Sequence, residues 1–258
     1  MTATNDLQST ERFSNRVEDY VRYRPDYPHA LLQWLQSVHG VTPRWLVADI
    51  GAGTGISSKM FLDADYHVIA VEPNAAMRSA AEQWLGRDEN FRSLDGHADA
   101  TGLAAHSVDL ISVAQAFHWF NEEATRHEFH RILRPHGLAA IYWNSRRLTS
   151  TPFLEGYEAL LQRYGTDYTS VVERYADEAR MRQWFGDGYR GTASFEHRQL
   201  LDFDSLRGRL MSSSYAPAAG HPMHEPMLAA LRELFDACAE HGKVSFDYDT
   251  RVYVGHPG

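Results

Sequence analysis

The residues best suited to chemistry lie in one stretch, residues 45–74, with the sequence WLVADIGAGTGISSKMFLDADYHVIAVEPN. An apolar run breaks abruptly into three glycines: Gly51, Gly53 and Gly55. Glycine removes side chains where a ligand must approach the backbone. A second apolar run, residues 67–71, ends on Glu72, which is placed to accept hydrogen bonds from two ribose hydroxyls. The stretch therefore predicts half of a nucleotide-binding sheet, with a strand, a glycine-rich turn, a helix and a second strand.

Two further residues narrow the kind of nucleotide. A dinucleotide-binding turn has a third glycine at the position that Ile56 occupies, whereas here the third glycine is Gly55. Asp49, just before the turn, offers a carboxylate that can accept from an ammonium group or a bound water but would repel a diphosphate. We therefore expect a ligand with a positive amino end and a ribose.

The elements that must position these residues alternate between strand and helix. Apolar runs predict five strands: residues 45–50, 67–71, 91–94, 108–113 and 138–143. Asn74 and Asn121 are predicted to cap the helices that follow them. Such alternation predicts a mainly parallel sheet with helices on both faces. Because ligands of these sheets lie at the carboxyl ends of the strands, the glycines, Glu72 and segments 95–99 and 114–120 are expected to converge on one crevice.

Beyond residue 144 the pattern becomes helical and aromatic. Residues 146–190 and 204–241 are predicted to be mainly helical, and residues 192–201 form a weakly alternating strand. The last segment, FDYDTRVYV at 246–254, alternates cleanly and predicts a final half-exposed strand. We expect the helices to cover the crevice and enclose the site.

Composition excludes several classes of function. The formal net charge is −9, so polyphosphate is repelled on average and nucleic acid is not the expected partner. Cys238 is the only cysteine, which rules out an internal disulfide. The polar N-terminus lacks the apolar core of a signal peptide, and no apolar run reaches membrane-spanning length. We therefore expect a cytoplasmic protein without a membrane contact. His127 and His130 are predicted to be helix-surface residues, so no metal site is expected.

Five motifs occur in a fixed order: VADIGAGTG, AVEPN, DGHADATGL, VDLISVAQAFHWF and RILRPHGLAAIYWN. In this order and spacing they resemble the class I S-adenosylmethionine-dependent methyltransferases. The AxxFHWF pattern is similar to the type 11 small-molecule subgroup, and the yeast trans-aconitate methyltransferases look like relatives. The resemblance implies an α/β fold with a Rossmann-like, seven-stranded, mostly parallel sheet. It also implies an antiparallel last strand, helices on both faces and a helical cap.

The resemblance also implies a division of the chain. Residues 1–12 are expected to be a disordered tail, and residues 13–258 a single methyltransferase domain. The expected parts of this domain are lid helices, a cofactor-binding core, a substrate cap with one strand, and the last strand: residues 13–40, 41–144, 145–245 and 246–254.

The same resemblance implies the cofactor, S-adenosyl-L-methionine, its product S-adenosyl-L-homocysteine, and the residues that bind them. The implied binding residues are Tyr20, Arg24, Asp49, Gly51, Gly53, Glu72, Pro73, Met77, His97, Ala98, Asp99, Ala114 and Gln115. Asp49 would bind the amino group through water, and Glu72 would take both ribose hydroxyls. His97 stands where an Asp is common, so the adenine amino group would bond Asp99 or the backbone.

The resemblance implies further contacts with the methionine and adenine parts of the cofactor. The glycines would hold the methionine part, Pro73 and Met77 would lie against adenine, and a carbonyl at Ala114 or Gln115 would face the amino group. Composition alone favours an aromatic staple for the Tyr20 and Arg24 region. The resemblance favours a lid over the cofactor instead.

The acceptor side is less defined. His118 is a candidate base, or a buried hydrogen-bonded histidine beside Trp119. Candidate substrate residues are Trp119, Asn144, Arg146 and Tyr215. Arg24, Arg146 and Arg147 favour an acidic acceptor, although a thiol, amine or phenol stays open.

No proline pair follows the fourth strand, which disfavours methylation of a nucleic-acid base. A non-catalytic S-adenosylmethionine-binding regulatory protein is the alternative. An oxidoreductase is disfavoured by the missing third glycine. The sequence predicts no oligomeric state.

Overall fold

The sheet has seven strands in the order β3-β2-β1-β4-β5-β7-β6. In this computed structural model the described residues are 23–166, 168 and 177–258. The strands are β1 (Leu46–Ile50), β2 (His67–Val71), β3 (Phe91–Leu94), β4 (Val108–Ala114), β5 (Leu133–Arg146), β6 (Tyr189–Leu201) and β7 (Val244–Gly255). β7 runs antiparallel to β5 and β6, and the pairs from β3 to β5 are parallel. The predicted fold class, including its antiparallel last strand, is therefore confirmed.

Eight α-helices of the described residues join these strands. They are α1 (His29–His39), α2 (Ile56–Leu62), α3 (Ala75–Leu85), α4 (Glu122–Ile132), α5 (Pro152–Tyr164), α6 (Glu178–Phe185), α7 (Phe203–Met211) and α8 (His224–Cys238). The predicted caps are confirmed, since the Asn74 side chain accepts from the Ala76 and Met77 amides and the Asn121 side chain from the Ala124 amide. None of these helices combines the length and apolar character needed to cross a membrane.

Helices cover both faces of the sheet because neighbouring strand residues point to opposite sides. On one face, Val47 packs with side chains of α1, α2 and α3. On the other, Ala48 packs with side chains of α4 and α6. A third cluster joins α5, α7 and α8 to β7 through residues such as Phe246. This third cluster occupies the region of the predicted cap.

One boundary differs from the prediction. The sequence predicts a break at residues 134–137 before a strand starting at 138, whereas β5 already begins at Leu133. Leu133 pairs with Val108 and Leu138 with Leu110, so the intervening residues form a bulge. The buried carboxylate of Asp109 holds this bulge by accepting from Arg134 and His136. A side-chain contact therefore keeps Pro135 within an extended segment.

The predicted tail and the start of the predicted lid, residues 1–22, lie outside the described residues, and so does Tyr20. Within the described ranges, no group of three or more His, Cys, Asp or Glu side chains is arranged to hold a metal ion.

Candidate functional site

An open cleft lies at the carboxyl ends of β1 and β4. Its lining residues come from the N-terminal segment, the glycine turn and the end of β4: Arg24, Pro25, Tyr27, Gly51, Ala52, Gly53, Thr54, Ile56, Ser57, Ala114 and Gln115. This is the crevice where ligands of parallel sheets bind. The structure therefore brings the glycine turn, the β4 end and Arg24 to one site.

The glycine turn needs its glycines for different reasons. Gly51, Gly53 and Gly55 have φ values of +69°, +58° and +88°, a region that favours glycine. A Cβ on Gly51 would lie 2.7 Å from the Ala116 Cβ, and one on Gly55 would lie 2.6 Å from Leu85 Cδ1. A Cβ on Gly53 would meet only the Met77 sulfur, at 3.5 Å. Gly53 therefore leaves room on the cleft side of the turn.

Glu72, at the end of β2, braces this turn. Its Oε2 accepts from the Gly53 amide at 2.9 Å, and its Oε1 accepts from the Asn74 amide at 2.8 Å. Burial raises the pKa of the Glu72 carboxyl, and these two amide hydrogen bonds oppose the rise. Each carboxylate oxygen keeps a further lone pair, so Glu72 can hold the turn and still accept from a ligand hydroxyl.

Asp49 lies beneath the turn and is fully buried. Its Oδ2 accepts from the hydroxyls of Ser57 and Ser58, both at 2.6 Å. Burial raises the pKa of Asp49, and the side chains of Ser57, Ser58 and Ser112 oppose the rise. Its Oδ1 has no hydrogen-bond partner among the described residues. A buried acceptor without a donor requires an explanation, and a ligand or a bound water supplies one.

The predicted adenine residues follow β2 and β3 in the chain. Met77 is buried beside Gly53, and Pro73 is half-buried. After β3, the backbones of His97 and Ala100 pair with each other, which leaves Ala98 buried and exposes Asp99.

The segment after β4 has an unusual backbone. Gln115 has a φ of +57°, and its Nε2 donates to the Asn144 carbonyl at 3.2 Å. His118 and Trp119 follow in a short 3-10 helix, with ring centroids 4.9 Å apart. Both are half-buried, and neither lines the cleft.

Asn144 serves as a clamp. Its Nδ2 donates to the Asp26 carbonyl at 2.9 Å, and its Oδ1 accepts from Thr250 at 2.6 Å. It is 4% exposed and outside the cleft lining. It therefore ties the segment that carries Arg24 to β5 and β7.

Arg146 and Tyr215, two more predicted substrate residues, lie together in the cap region. Arg146 pairs with Glu158 and donates to the Tyr168 hydroxyl at 2.8 Å. The rings of Tyr168 and Tyr215 are 5.1 Å apart. Arg147, by contrast, pairs with acids near the surface.

Sequence reasoning missed Arg209, which is 7% exposed on α7. Its Nε donates to the Tyr248 hydroxyl at 3.2 Å, and its Nη1 donates to Ser213 Oγ at 3.1 Å. The available signal was its position three residues after the buried Leu206, on the same side of the helix.

Comparisons with known proteins identify the family of the chain. The type 11 family model described as "Methyltransferase domain" matches residues 48–141. An uncharacterized methyltransferase of Schizosaccharomyces pombe is 30% identical over 169 residues, which cover 64% of each chain. An uncharacterized methyltransferase-like protein of the same yeast is 32% identical over 224 residues. That match covers 86% of this chain and 85% of the relative, whereas the first covers just under two thirds of its relative.

Solved structures share the fold. A candidate type II methyltransferase from Anaeromyxobacter dehalogenans has a TM-score of 0.65 at 24% identity, covering 91% of this chain and 98% of that one. A geranyl diphosphate methyltransferase in complex with S-adenosylmethionine has a TM-score of 0.51 at 14% identity, covering 89% of this chain and 85% of that one. The motif match, the near full-length relative and the sheet order agree. The chain belongs to the class I S-adenosylmethionine-dependent methyltransferases.

Proposed function

We propose that this protein transfers a methyl group from S-adenosylmethionine to a small-molecule acceptor. The observation that carries the proposal is the buried Asp49 Oδ1, which lacks a donor directly beneath the glycine turn. A ligand that presents an ammonium group, directly or through water, satisfies that oxygen. The Glu72 carboxylate, which accepts from the Gly53 amide of the turn, suits ribose hydroxyls. The residues therefore fit the two polar ends of this cofactor.

The cofactor-binding roles follow from these positions. Asp49 receives the amino end, Gly51 and Gly53 allow the methionine part to approach the backbone, and Glu72 receives the ribose. Arg24 lines the same cleft as the turn and would contact the bound cofactor there. The cofactor supplies, when bound, a methyl group on a positive sulfur that an acceptor lone pair can displace.

The small-molecule acceptor is supported by charge and by the cap region. The net charge of −9 disfavours nucleic acid, and residues 114–120 contain no proline. The cluster of α5, α7 and α8 borders the N-terminal segment, because Arg24 donates to the Ser212 carbonyl at 2.8 Å. A carboxylate, thiol, amine or phenol stays open as acceptor. The trans-aconitate-like subgroup and the cytoplasmic location remain predictions.

The protein's contribution is mainly to position the acceptor and exclude water. A base is needed only when the acceptor atom carries a tightly held proton. His118 is our candidate for that role, although its half-buried ring lies against Trp119 outside the cleft lining. The variant His118→Ala tests it. Turnover at the wild-type rate with S-adenosylhomocysteine affinity preserved would remove the base role.

Two measurements test the proposed function. Calorimetry is expected to detect binding of S-adenosylhomocysteine and no binding of NADH. A screen of labelled S-adenosylmethionine against small acids, thiols, amines and phenols is expected to yield a methylated product. Cofactor binding without turnover of any acceptor would favour a non-catalytic regulatory protein. NADH binding without S-adenosylhomocysteine binding would contradict the proposal.

A further inference from the structure

The cap region contains a buried positive charge that pairs with none of the described acidic side chains. Arg209 donates to two neutral hydroxyls, those of Tyr248 and Ser213, and its guanidinium lies 5.5 Å from the ring centre of Phe246. Within the described part of the chain Arg209 forms no ion pair. A buried cation that lacks an opposite charge is strongly unfavourable. Such a group is retained at a cost in stability, which suggests a ligand that supplies the missing charge.

Two neighbouring polar groups are also unsatisfied. The Tyr157 hydroxyl and Arg146 Nη1 are both buried and lack hydrogen-bond partners among the described residues. The Arg146 side chain is 10% exposed, and its guanidinium lies 5.2 Å from the ring centre of Tyr157. Burial raises the pKa of Tyr157, and the charges of Arg209 and Arg146 lower it. Both guanidinium groups therefore act on the same hydroxyl.

The cluster adjoins the proposed cofactor cleft. Arg24 lines the cleft and donates to the Ser212 carbonyl at 2.8 Å, next to Ser213, which accepts from Arg209. The ring of Tyr23 packs directly on Gly208, where a Cβ would lie 2.1 Å from Tyr23 Cε2. Helix α7 therefore carries Arg209 against the segment that borders the cleft.

We propose that Arg209, Arg146 and Tyr157 form an anion-binding subsite that holds a carboxylate of the methyl acceptor. The inference rests on the proposed function and adds the chemical class of the substrate. Guanidinium groups bind carboxylates through paired hydrogen bonds. Glu158 already neutralises Arg146, so one unmatched positive charge remains, and a single carboxylate matches it better than a doubly charged phosphate.

This carboxylate anchors the acceptor, and a different atom of the acceptor is methylated. Pairing with a guanidinium withdraws electron density from the carboxylate oxygens and lowers their nucleophilicity. An anchor that binds equally in the ground state and the transition state affects KM rather than kcat. Loss of Arg209 is therefore expected to raise KM and to leave kcat near the wild-type value.

The test compares Arg209→Met with Arg207→Met, a matched control that removes an exposed arginine two residues away on α7. Thermal unfolding is measured with saturating S-adenosylhomocysteine and a panel of acids beside their neutral amides: acetate and acetamide, succinate and succinamide, benzoate and benzamide. Ionic strength is kept equal. Wild type and the Arg207 variant are expected to be stabilised by at least one acid and by no amide. The Arg209 variant is expected to bind that acid at least about 30-fold more weakly than wild type, with unchanged affinity for S-adenosylhomocysteine.

A readout without ligand separates an anchoring role from a structural one. Methionine in place of a buried unpaired cation is expected to leave the Tm unchanged or higher. A Tm well below wild type would make Arg209 structural and overturn the subsite. Equal stabilisation by acids and amides, or an acid response that survives Arg209→Met, would overturn it as well. Failure of wild type to bind S-adenosylhomocysteine would instead overturn the proposed function, and the subsite with it.

Discussion

The sharpest test of the donor site is the substitution Glu72→Gln. It preserves the shape of the side chain and removes its charge. In the wild-type protein both carboxylate oxygens accept from backbone amides, those of Gly53 and Asn74. Glutamine offers one accepting oxygen, so its amide nitrogen faces one of the two donors. One brace of the glycine turn is therefore lost.

The effect on ligand affinity is expected to exceed the effect on stability. Hydrogen bonds to a charged acceptor contribute about 1.5–3 kcal/mol each. The variant loses one of the two hydrogen bonds from the ribose hydroxyls, and the acceptor of the second hydrogen bond is no longer charged. We expect a loss of about 2–4 kcal/mol, which is roughly 30- to 1000-fold in Kd. Stability changes less, because burial raises the pKa of Glu72 and the neutral side chain avoids that desolvation penalty. The lost amide contact and the avoided penalty offset each other.

Calorimetry with two ligands makes the assignment specific. S-adenosylhomocysteine and 5′-methylthioadenosine share the ribose and adenine, but only the first carries the amino acid. Glu72→Gln is expected to weaken both by similar factors. The control Glu89→Gln makes the same chemical change at an exposed position and is expected to weaken neither. Affinities equal to those of the control would refute the ribose role and leave Glu72 only as a brace, and a loss confined to S-adenosylhomocysteine would assign Glu72 to the amino-acid end.

Three further predictions follow from the same geometry. Asp49→Asn is expected to weaken S-adenosylhomocysteine but not 5′-methylthioadenosine. Because burial raises the pKa of Asp49, the free energy of unfolding of wild type falls as the pH rises from the ordinary carboxyl pKa to that raised value. Urea unfolding is therefore expected to show the variant gaining stability relative to wild type over that rise in pH. Gly51→Ala and Gly242→Ala both place alanine at positive φ, +69° and +74°, but only the first meets a neighbour. We expect urea unfolding to show that the free energy of unfolding falls by about 1–2 kcal/mol for Gly242→Ala and by about 1–3 kcal/mol more for Gly51→Ala. Equal losses would contradict the close packing at Gly51. Asn144→Ala is expected to lower the free energy of unfolding by about 1–3 kcal/mol and to speed amide hydrogen exchange in residues 23–28. Unchanged exchange would contradict the role of Asn144 in holding this segment.

The donor side could be predicted from the sequence because its geometry is local. The glycine turn, Asp49 and Glu72 lie within 30 consecutive residues, counted from 45 to 74, and parallel strands bring their ends to one edge. The strand and helix patterns there matched the observed elements. The prediction of a break at residues 134–137 was wrong. The strand continues through these residues as a bulge that the side chain of Asp109, distant in the sequence, holds in place.

The cap region could not be predicted in the same way. Asn144 and Arg146 were singled out for following a strand, but their partners, Thr250 and Glu158, are set by packing between distant segments. No sequence motif includes Arg209. Its spacing from Leu206 indicates only a face of an amphipathic helix. Its burial without an ion pair to a described acid distinguishes it from a surface arginine.

The two halves of the proposed site share one physical feature, a buried charged or ionisable group that the protein leaves incompletely satisfied. Beneath the cleft it is the carboxyl of Asp49, whose pKa burial raises, and in the cap region it is the guanidinium of Arg209. Opposite charges on the ligands would satisfy each, the ammonium of the cofactor at Asp49 and a carboxylate of the acceptor at Arg209. Each ligand is then selected because its absence, or its replacement by a neutral molecule, leaves Asp49 or Arg209 buried without an opposite charge, which is unfavourable. This explains why a neutral analogue of either ligand is expected to bind poorly even when its shape is preserved, and why neutral substitutions at these two positions should weaken ligands without weakening the fold.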